Sequence, residues 1–192
     1  MFIDVDLYPG LQIFRDNLEE LKDSIIHDTF IRHPSWEVLN RIYDDPLQNI
    51  GWYSTALVVS NNVVKVNAEK YPFVMDLYEK LDVPNKLGIG FTKFEPGGYV
   101  KEHTDGEASY RYHLCLQSEE NKAIITNGDR KIIYGFGKDY IINVDKPHSA
   151  FNKSETIERV NLVVDFVPDE SMVENYQDYF GFGADWDDDG TF

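Results

Sequence analysis

The stretch "GGYVKEHTDGEASYRYHLCLQ", residues 97–117, decides the fold, because it joins two sequence styles that rarely adjoin. It opens with His103 and Asp105, one residue apart, and runs into Tyr110–Gln117, where polar and apolar residues alternate. Arg111, His113, Cys115 and Gln117 fall on one side of that alternation; Tyr110, Tyr112, Leu114 and Leu116 fall on the other. In extended chain, residues two apart project the same way. The segment therefore reads as a strand whose polar face carries an arginine and a histidine, directly after two residues that can hold a metal. On an ordinary antiparallel sheet such a face meets solvent. Side chains this specific also suit the lumen of a sandwich.

Working outward, the period stays at two from residue 87 onward. Candidate strands are 87–94, 98–103, 109–117, 121–127, 130–135, 138–144, 147–152 and 157–167. They are separated by turn residues such as Pro96-Gly97-Gly98, Asn127-Gly128-Asp129 and Asn152 to Glu155. Short strands at such spacing predict an antiparallel sandwich or jelly roll. Upstream, Leu11, Phe14, Leu18, Leu21, Ile25 and Ile26 recur at helical spacing and predict an amphipathic helix over 11–27. "YPFVMDLYEKLDVP" (71–84) predicts a second helix, and "GWYSTALVVS" and "NVVKV" between them look strand-like. The expected organisation is one domain over 1–192, mainly β with N-terminal helices. It has a support region 1–86, a jelly-roll core 87–168, and an acidic aromatic tail 169–192 that is loosely held or packs as a lid.

Composition sets limits on partners. With 42% apolar and 14% aromatic residues the chain is globular rather than disordered. Cys115 is the sole cysteine, which excludes an internal disulfide and suits a reducing, cytoplasmic setting. The N-terminal "MFIDVDLYPG" lacks the build of a signal peptide, and no apolar run reaches the ~20 residues that cross a bilayer. A formal charge of −16 repels phosphate backbones and anionic membranes, so neither nucleic acid nor membrane is expected as partner. A small molecule or a peptide is the expected substrate. A dianionic ligand would need a pocket with strong local positive charge.

His103 and Asp105 aim an imidazole and a carboxylate at one point, and "DKPHSAFN" (145–152) offers His148 as a third ligand. Two histidines and a carboxylate on one face of an octahedral metal form the facial triad of non-haem Fe(II) oxygenases. In "RVNLVVDF" (159–166), Val160, Leu162, Val164 and Phe166 share one face; Arg159, Asn161, Val163 and Asp165 share the other. Arg111, His113 and Arg159 face inward if the triad does, and arginine's planar fork grips carboxylates through paired hydrogen bonds. Arg159 could instead pair with Asp165, and His113 could be a satisfied core residue. Cys115 reads as a small core residue, and His27 and His33 as surface residues. Trp36, Trp52 and Tyr53 read as pocket wall or core.

From Gly88 to Pro168 the chain resembles the aspartyl/asparaginyl β-hydroxylase-like family of 2-oxoglutarate- and Fe(II)-dependent oxygenases. The matching pieces are "FTKFEPGGYVKEHTD", "YRYHLCLQ", "YGFGKDYIINVDKPHSAFN" and "ERVNLVVDFVP", in the family's order. The resemblance implies a double-stranded β-helix (jelly roll, cupin-like) that binds Fe(II), 2-oxoglutarate and O2. It implies hydroxylation of a free amino acid or peptidyl residue, with release of succinate and CO2. His103 and His148 would ligate iron and Arg159 would hold the distal carboxylate of 2-oxoglutarate. Thr92 falls where the family has a hydroxyl assisting that arginine, and Arg111 and His113 fall on its cosubstrate-contacting Arg-x-His. Asp105 stands where the branch acting on protein side chains has glycine, so the chain keeps the full triad of the branch acting on free amino acids; the same residue speaks against halogenation. Two rival readings are a catalytically silent metal-binding jelly-roll module, and an acidic decoy protein, which a charge spread along the chain disfavours.

Overall fold

A computed structural model describes residues 2–33, 51–105 and 109–168. The N-terminal third supplies β1 (Phe2–Ile3), β2 (Ile31–Arg32), β3 (Trp52–Val59) and β4 (Asn62–Val63). Then come β5 (Lys86–Phe94), β6 (Tyr99–His103), β7 (Tyr110–Gln117), β8 (Ala123–Asn127), β9 (Arg130–Tyr134), β10 (Asp139–Asn143), β11 (His148–Asn152) and β12 (Arg159–Phe166). All eight strands expected after residue 86 are present, with ends shifted by two residues at most. Three turns between them place glycine in the left-handed region it tolerates: Gly97 and Gly137 have φ +74° and Gly128 has φ +59°.

The strands form two sheets. The larger runs β1-β10-β7-β12-β5-β3-β2, with β4 added on β3, and the smaller runs β6-β11-β8-β9. Strands close in sequence alternate between sheets, which makes the core a double-stranded β-helix, or jelly roll. The expected boundary at residue 86 does not separate layers, because β1, β2 and β3 belong to the same large sheet as β5 and β12.

The helical prefix differs from the single helix expected over 11–27. A 3-10 turn at Pro9–Leu11 leads into α1 (Gln12–Asp16), then α2 (Leu18–Asp23), and a 3-10 turn follows at His27–Thr29. The break is at Asn17, whose side-chain amide donates to the Ile13 carbonyl at 2.7 Å. Asparagine competes in this way for backbone acceptors, and so interrupts helices. The apolar stripe survives the break, since Leu11, Phe14 and Leu21 are fully buried. "NVVKV" is likewise only half strand. Chain from Lys65 winds into α3 (Lys65–Ala68), where Asn67 ties back to the Ala56 carbonyl at 2.9 Å. The second expected helix is α4 (Pro72–Lys80), with proline in its first turn where no N–H partner is needed.

These helices cover the outer face of the large sheet. There Tyr112, Leu114 and Leu116 of β7 and Val160, Leu162, Val164 and Phe166 of β12 pack against Leu11, Phe14, Leu21, Val74 and Leu77. Burial of each such side chain contributes about 1.5–3 kcal/mol. A second cluster, which includes Trp52, Phe94, Val100, Cys115, Ile125, Tyr140 and Ile142, fills the space between the sheets. Cys115 is fully buried there, as expected, and burial raises its thiol pKa to about 12.

Candidate metal and anion site

Register builds the metal-binding cluster. His103 ends β6, His148 begins β11, and the two are direct cross-strand partners in the small sheet. Their rings lie side by side, with centroids 4.3 Å apart. Nδ1 of His103 is 2.7 Å from the Lys101 carbonyl, and Nδ1 of His148 is 2.9 Å from the Lys146 carbonyl. Each ring thus donates from Nδ1 to a backbone oxygen and turns Nε2 toward Asp105. This is the arrangement that fixes tautomer and orientation in metal-ligating histidines.

Asp105, two residues beyond His103, is anchored by its backbone N–H to the Val144 carbonyl at 3.1 Å. Its Oδ1 is 3.3 Å from His103 Nε2 and 3.6 Å from His148 Nε2. The ligand atoms of His103, Asp105 and His148 all lie within 4.8 Å of one another. Ligands at ~2.1 Å from a divalent ion sit about 3 Å apart when adjacent, and the two Asp105–imidazole distances are already close to that. Protonation favours the same use. Burial lowers the His148 pKa to about 4, and Asp105 opposes that shift only in part. Burial disfavours the Asp105 carboxylate, but the Arg111 charge and the His103 contact outweigh it and hold the group well below the usual carboxylate range.

Polar side chains are also buried between the sheets. Arg159, at 1% exposure among the most buried side chains, reaches from β12 to the small sheet. Its Nη1 donates to the carbonyls of Ile124 at 3.2 Å and Phe151 at 3.4 Å. The guanidinium lies 4.7 Å from the Phe94 ring centre and 5.2 Å from that of Tyr134. Its Nε and Nη2 have no partner among the described residues. Burying a charged donor without an acceptor costs several kcal/mol, so Nε and Nη2 are atoms that could receive an anionic ligand. Asp165, weighed as its pair, goes to Arg111 instead.

His113 and Asn161 line the same face. His113 stacks on Tyr140 at 4.8 Å, and its Nδ1 faces the Asn161 amide nitrogen at 3.3 Å. With that amide donating, the ring proton sits on Nε2, which is buried without a partner among the described residues. The second hydrogen of the Asn161 amide is shared between the hydroxyls of Tyr134 and Tyr140, each 3.2 Å from the nitrogen. Burial lowers the His113 pKa well below its ordinary value, so the ring is neutral.

Two expected residues are engaged otherwise. The Thr92 hydroxyl accepts from Trp52 Nε1 at 3.1 Å rather than contacting Arg159. Arg111 points its fork at two carboxylates: Nη1 is 2.9 Å from Asp105 Oδ2, while Nε and Nη2 meet Asp165 at 2.7 and 3.1 Å. One expectation is corrected. His33 is half-buried rather than freely exposed: it stacks on Trp52 at 3.6 Å with planes 7° apart, and burial aided by the Arg111 charge lowers its pKa to about 3. The Trp52 ring is in turn 6.2 Å from that of His103. No local pattern signals His33, because β2 is two residues long and reaches the site only by pairing with β3. His27 is exposed, as expected. Trp36 and the 169–192 tail lie outside the described residues.

The model of the family described as aspartyl/asparaginyl β-hydroxylase matches residues 13–168, well over half of the chain. The chain belongs to that family. The match extends upstream of the resemblance at Gly88–Pro168 and takes in the helices on the outer face. Among solved structures, the fold is similar to the cupin domain of Cnp3 from Schizosaccharomyces pombe, at 12% identity and TM-score 0.43, over 69% of this chain and 74% of that one. It is also similar to a predicted oxalate decarboxylase from Thermotoga maritima, at 14% identity and TM-score 0.41, over 60% and 80%. No curated protein matches the chain. Family membership points to a hydroxylase, and the cluster of His103, Asp105 and His148 gives it a candidate metal site.

Proposed function

We propose that the protein is a non-haem Fe(II)- and 2-oxoglutarate-dependent dioxygenase that hydroxylates a C–H bond of a free amino acid or peptidyl residue. The observation that carries this reading is the pair of partnerless donors on Arg159, buried on the same inter-sheet face as the metal-binding cluster. A structural metal site has no use for such an anion-seeking group; a dicarboxylate cosubstrate does.

His103 Nε2, His148 Nε2 and Asp105 Oδ1 would hold the iron, and Arg159 Nε and Nη2 would pair with the distal carboxylate of 2-oxoglutarate through the fork. His113 Nε2 would donate a further hydrogen bond to the cosubstrate. Bound iron and cosubstrate supply the oxidation, in which O2 converts 2-oxoglutarate to succinate and CO2 and hydroxylates the substrate. The protein orients the groups: its backbone carbonyls fix both imidazoles, and the apolar cluster of Trp52, Phe94 and Ile142 keeps water from the pocket. A charge of −16 with two inward arginines suits a small or peptide substrate in the cytoplasm rather than a nucleic acid.

The test is anaerobic addition of Fe(II) and 2-oxoglutarate, read by the visible charge-transfer absorption of the complex. Wild-type protein is expected to give the band and His148→Ala to lose it. No band in wild type, together with no succinate release over a broad panel of amino acids, would favour the silent metal-binding module.

A further inference from the structure

We propose that Arg111 and Asp165 form a positioning pair that presents Asp105 to the metal through a single oxygen. This rests on the reading of His103, Asp105 and His148 as a metal site. The two oxygens of Asp105 have divided duties. Oδ1 faces both imidazoles, at 3.3 and 3.6 Å, whereas Oδ2 is held by Arg111 Nη1 at 2.9 Å. The other edge of the guanidinium is fixed by Asp165 through Nε at 2.7 Å and Nη2 at 3.1 Å. Arg111 and Asp165 are cross-strand partners on β7 and β12, so the sheet itself sets where the fork points.

Two consequences follow from this geometry. Tying Oδ2 to Arg111 keeps Asp105 from chelating through both oxygens, which leaves coordination positions free for other ligands. Asp165 offsets the guanidinium charge. Without it, the site would gain a net positive charge close to where a cation must bind. Asp165 has no assigned role in the family resemblance, and Arg111 is given there to the cosubstrate. Here both act on the metal through Asp105, and neither is a ligand.

The experiment is titration of the full chain with Co(II), followed by its ligand-field spectrum. The proteins compared are wild type, Asp165→Asn, Arg111→Gln, the double variant and Arg111→Lys. Asp165→Asn is expected to weaken Co(II) binding by about 10- to 100-fold, the usual cost of losing a group that orients a ligand. In the Arg111→Gln background the same substitution should change affinity by less than about twofold, because no guanidinium remains to be positioned. Arg111→Lys keeps the charge, loses the fork, and should alter the Co(II) spectrum. An Asp165→Asn affinity within about twofold of wild type overturns the proposal, as does an equal loss in both backgrounds. If Asp165→Asn does not fold, an unchanged affinity and spectrum in Arg111→Lys overturns it instead. Weakened 2-oxoglutarate binding by Mn(II)-loaded Arg111→Gln, with the Co(II) cycle additive, would return Arg111 to the cosubstrate. Failure of wild type to bind Co(II) at all would instead sink the metal reading itself.

Discussion

The two faces of β7 and β12 differ more than any two elements of the molecule, although they share one backbone. Outward, Tyr112, Leu114, Leu116, Val160, Leu162 and Val164 are sealed under the N-terminal helices with exposures of zero. Inward, alternate residues of the same strands are Arg111, His113, Arg159, Asn161 and Asp165, and three of these carry buried atoms with no partner among the described residues. Native interiors leave few polar groups unsatisfied, and each one calls for a reason. The outer face is where the sheet gains stability. The inner face gives stability up by burying polar atoms, which under the proposed function serve ligands.

The contrast is tested most severely by exchanging the expected consequences. Leu114→Ala on the outer face should lower unfolding free energy by about 2–5 kcal/mol, since the cavity lies in a sealed cluster. Its cosubstrate affinity, measured on the folded fraction, should be unchanged. Arg159→Met on the inner face should do the reverse. Loss of a desolvated, charge-assisted fork costs about 2–4 kcal/mol of binding, or roughly 30- to 1000-fold in the Kd for 2-oxoglutarate in Mn(II)-loaded protein. Stability should hold or rise, because replacing a buried charge by an apolar side chain of similar length removes an unpaid desolvation cost. Denaturant titration and calorimetry separate the two outcomes. A Met variant that unfolds while binding normally would make Arg159 a structural clamp between sheets.

What the sequence announces and what it conceals divide along the same line. Period two with glycine turns marks the strands after residue 86, and the face rule assigns Arg111, His113 and Arg159 inward correctly. His103, Asp105 and His148 converge as their order and spacing suggest, because the register of β6 with β11 sets the two imidazoles opposite each other. Most of the misses are long-range. Asp165 chooses Arg111 over Arg159 because it is the cross-strand neighbour, and strand pairing is not written in either strand alone. His33 reaches Trp52 through a two-residue edge strand too short to leave a period. The helix break at Asn17 is local, but it looks like an ordinary polar position on the exposed side of an amphipathic stripe.

The faces should also respond differently to acid. In metal-free protein His33 has a pKa near 3, and His113 lies well below its ordinary value, whereas both titrate near 6.5 once unfolded. Between those limits the unfolded chain binds more protons than the folded one, so stability rises with pH across the window and levels off above about 6.5. Melting temperature measured under chelation should therefore fall as pH drops from 7 towards 5. His33→Asn should flatten part of that slope, while Leu114→Ala should shift the whole curve down and keep its shape. A slope unchanged by His33→Asn would mean that the ring is not buried in the neutral form.

The smallest effect discriminates between the family's use of Thr92 and the one observed. Its hydroxyl accepts the indole N–H of Trp52 at 3.1 Å, and Trp52 packs between His33 and Phe94, beside the metal-binding cluster. Thr92→Val preserves shape and removes that acceptor together with the hydroxyl's long donation to the Tyr53 carbonyl at 3.5 Å, which should cost about 1 kcal/mol in stability. With the hydroxyl serving the indole, 2-oxoglutarate affinity should stay within about twofold of wild type, the scatter expected for sites that do not couple. A tenfold loss would mean that the hydroxyl turns from Trp52 to the cosubstrate carboxylate once that anion occupies the pocket. Trp52→Phe decides between the two: it releases the hydroxyl without removing it, so cosubstrate affinity should hold or improve if Thr92 is shared, and should not move if Thr92 belongs to the aromatic wall alone.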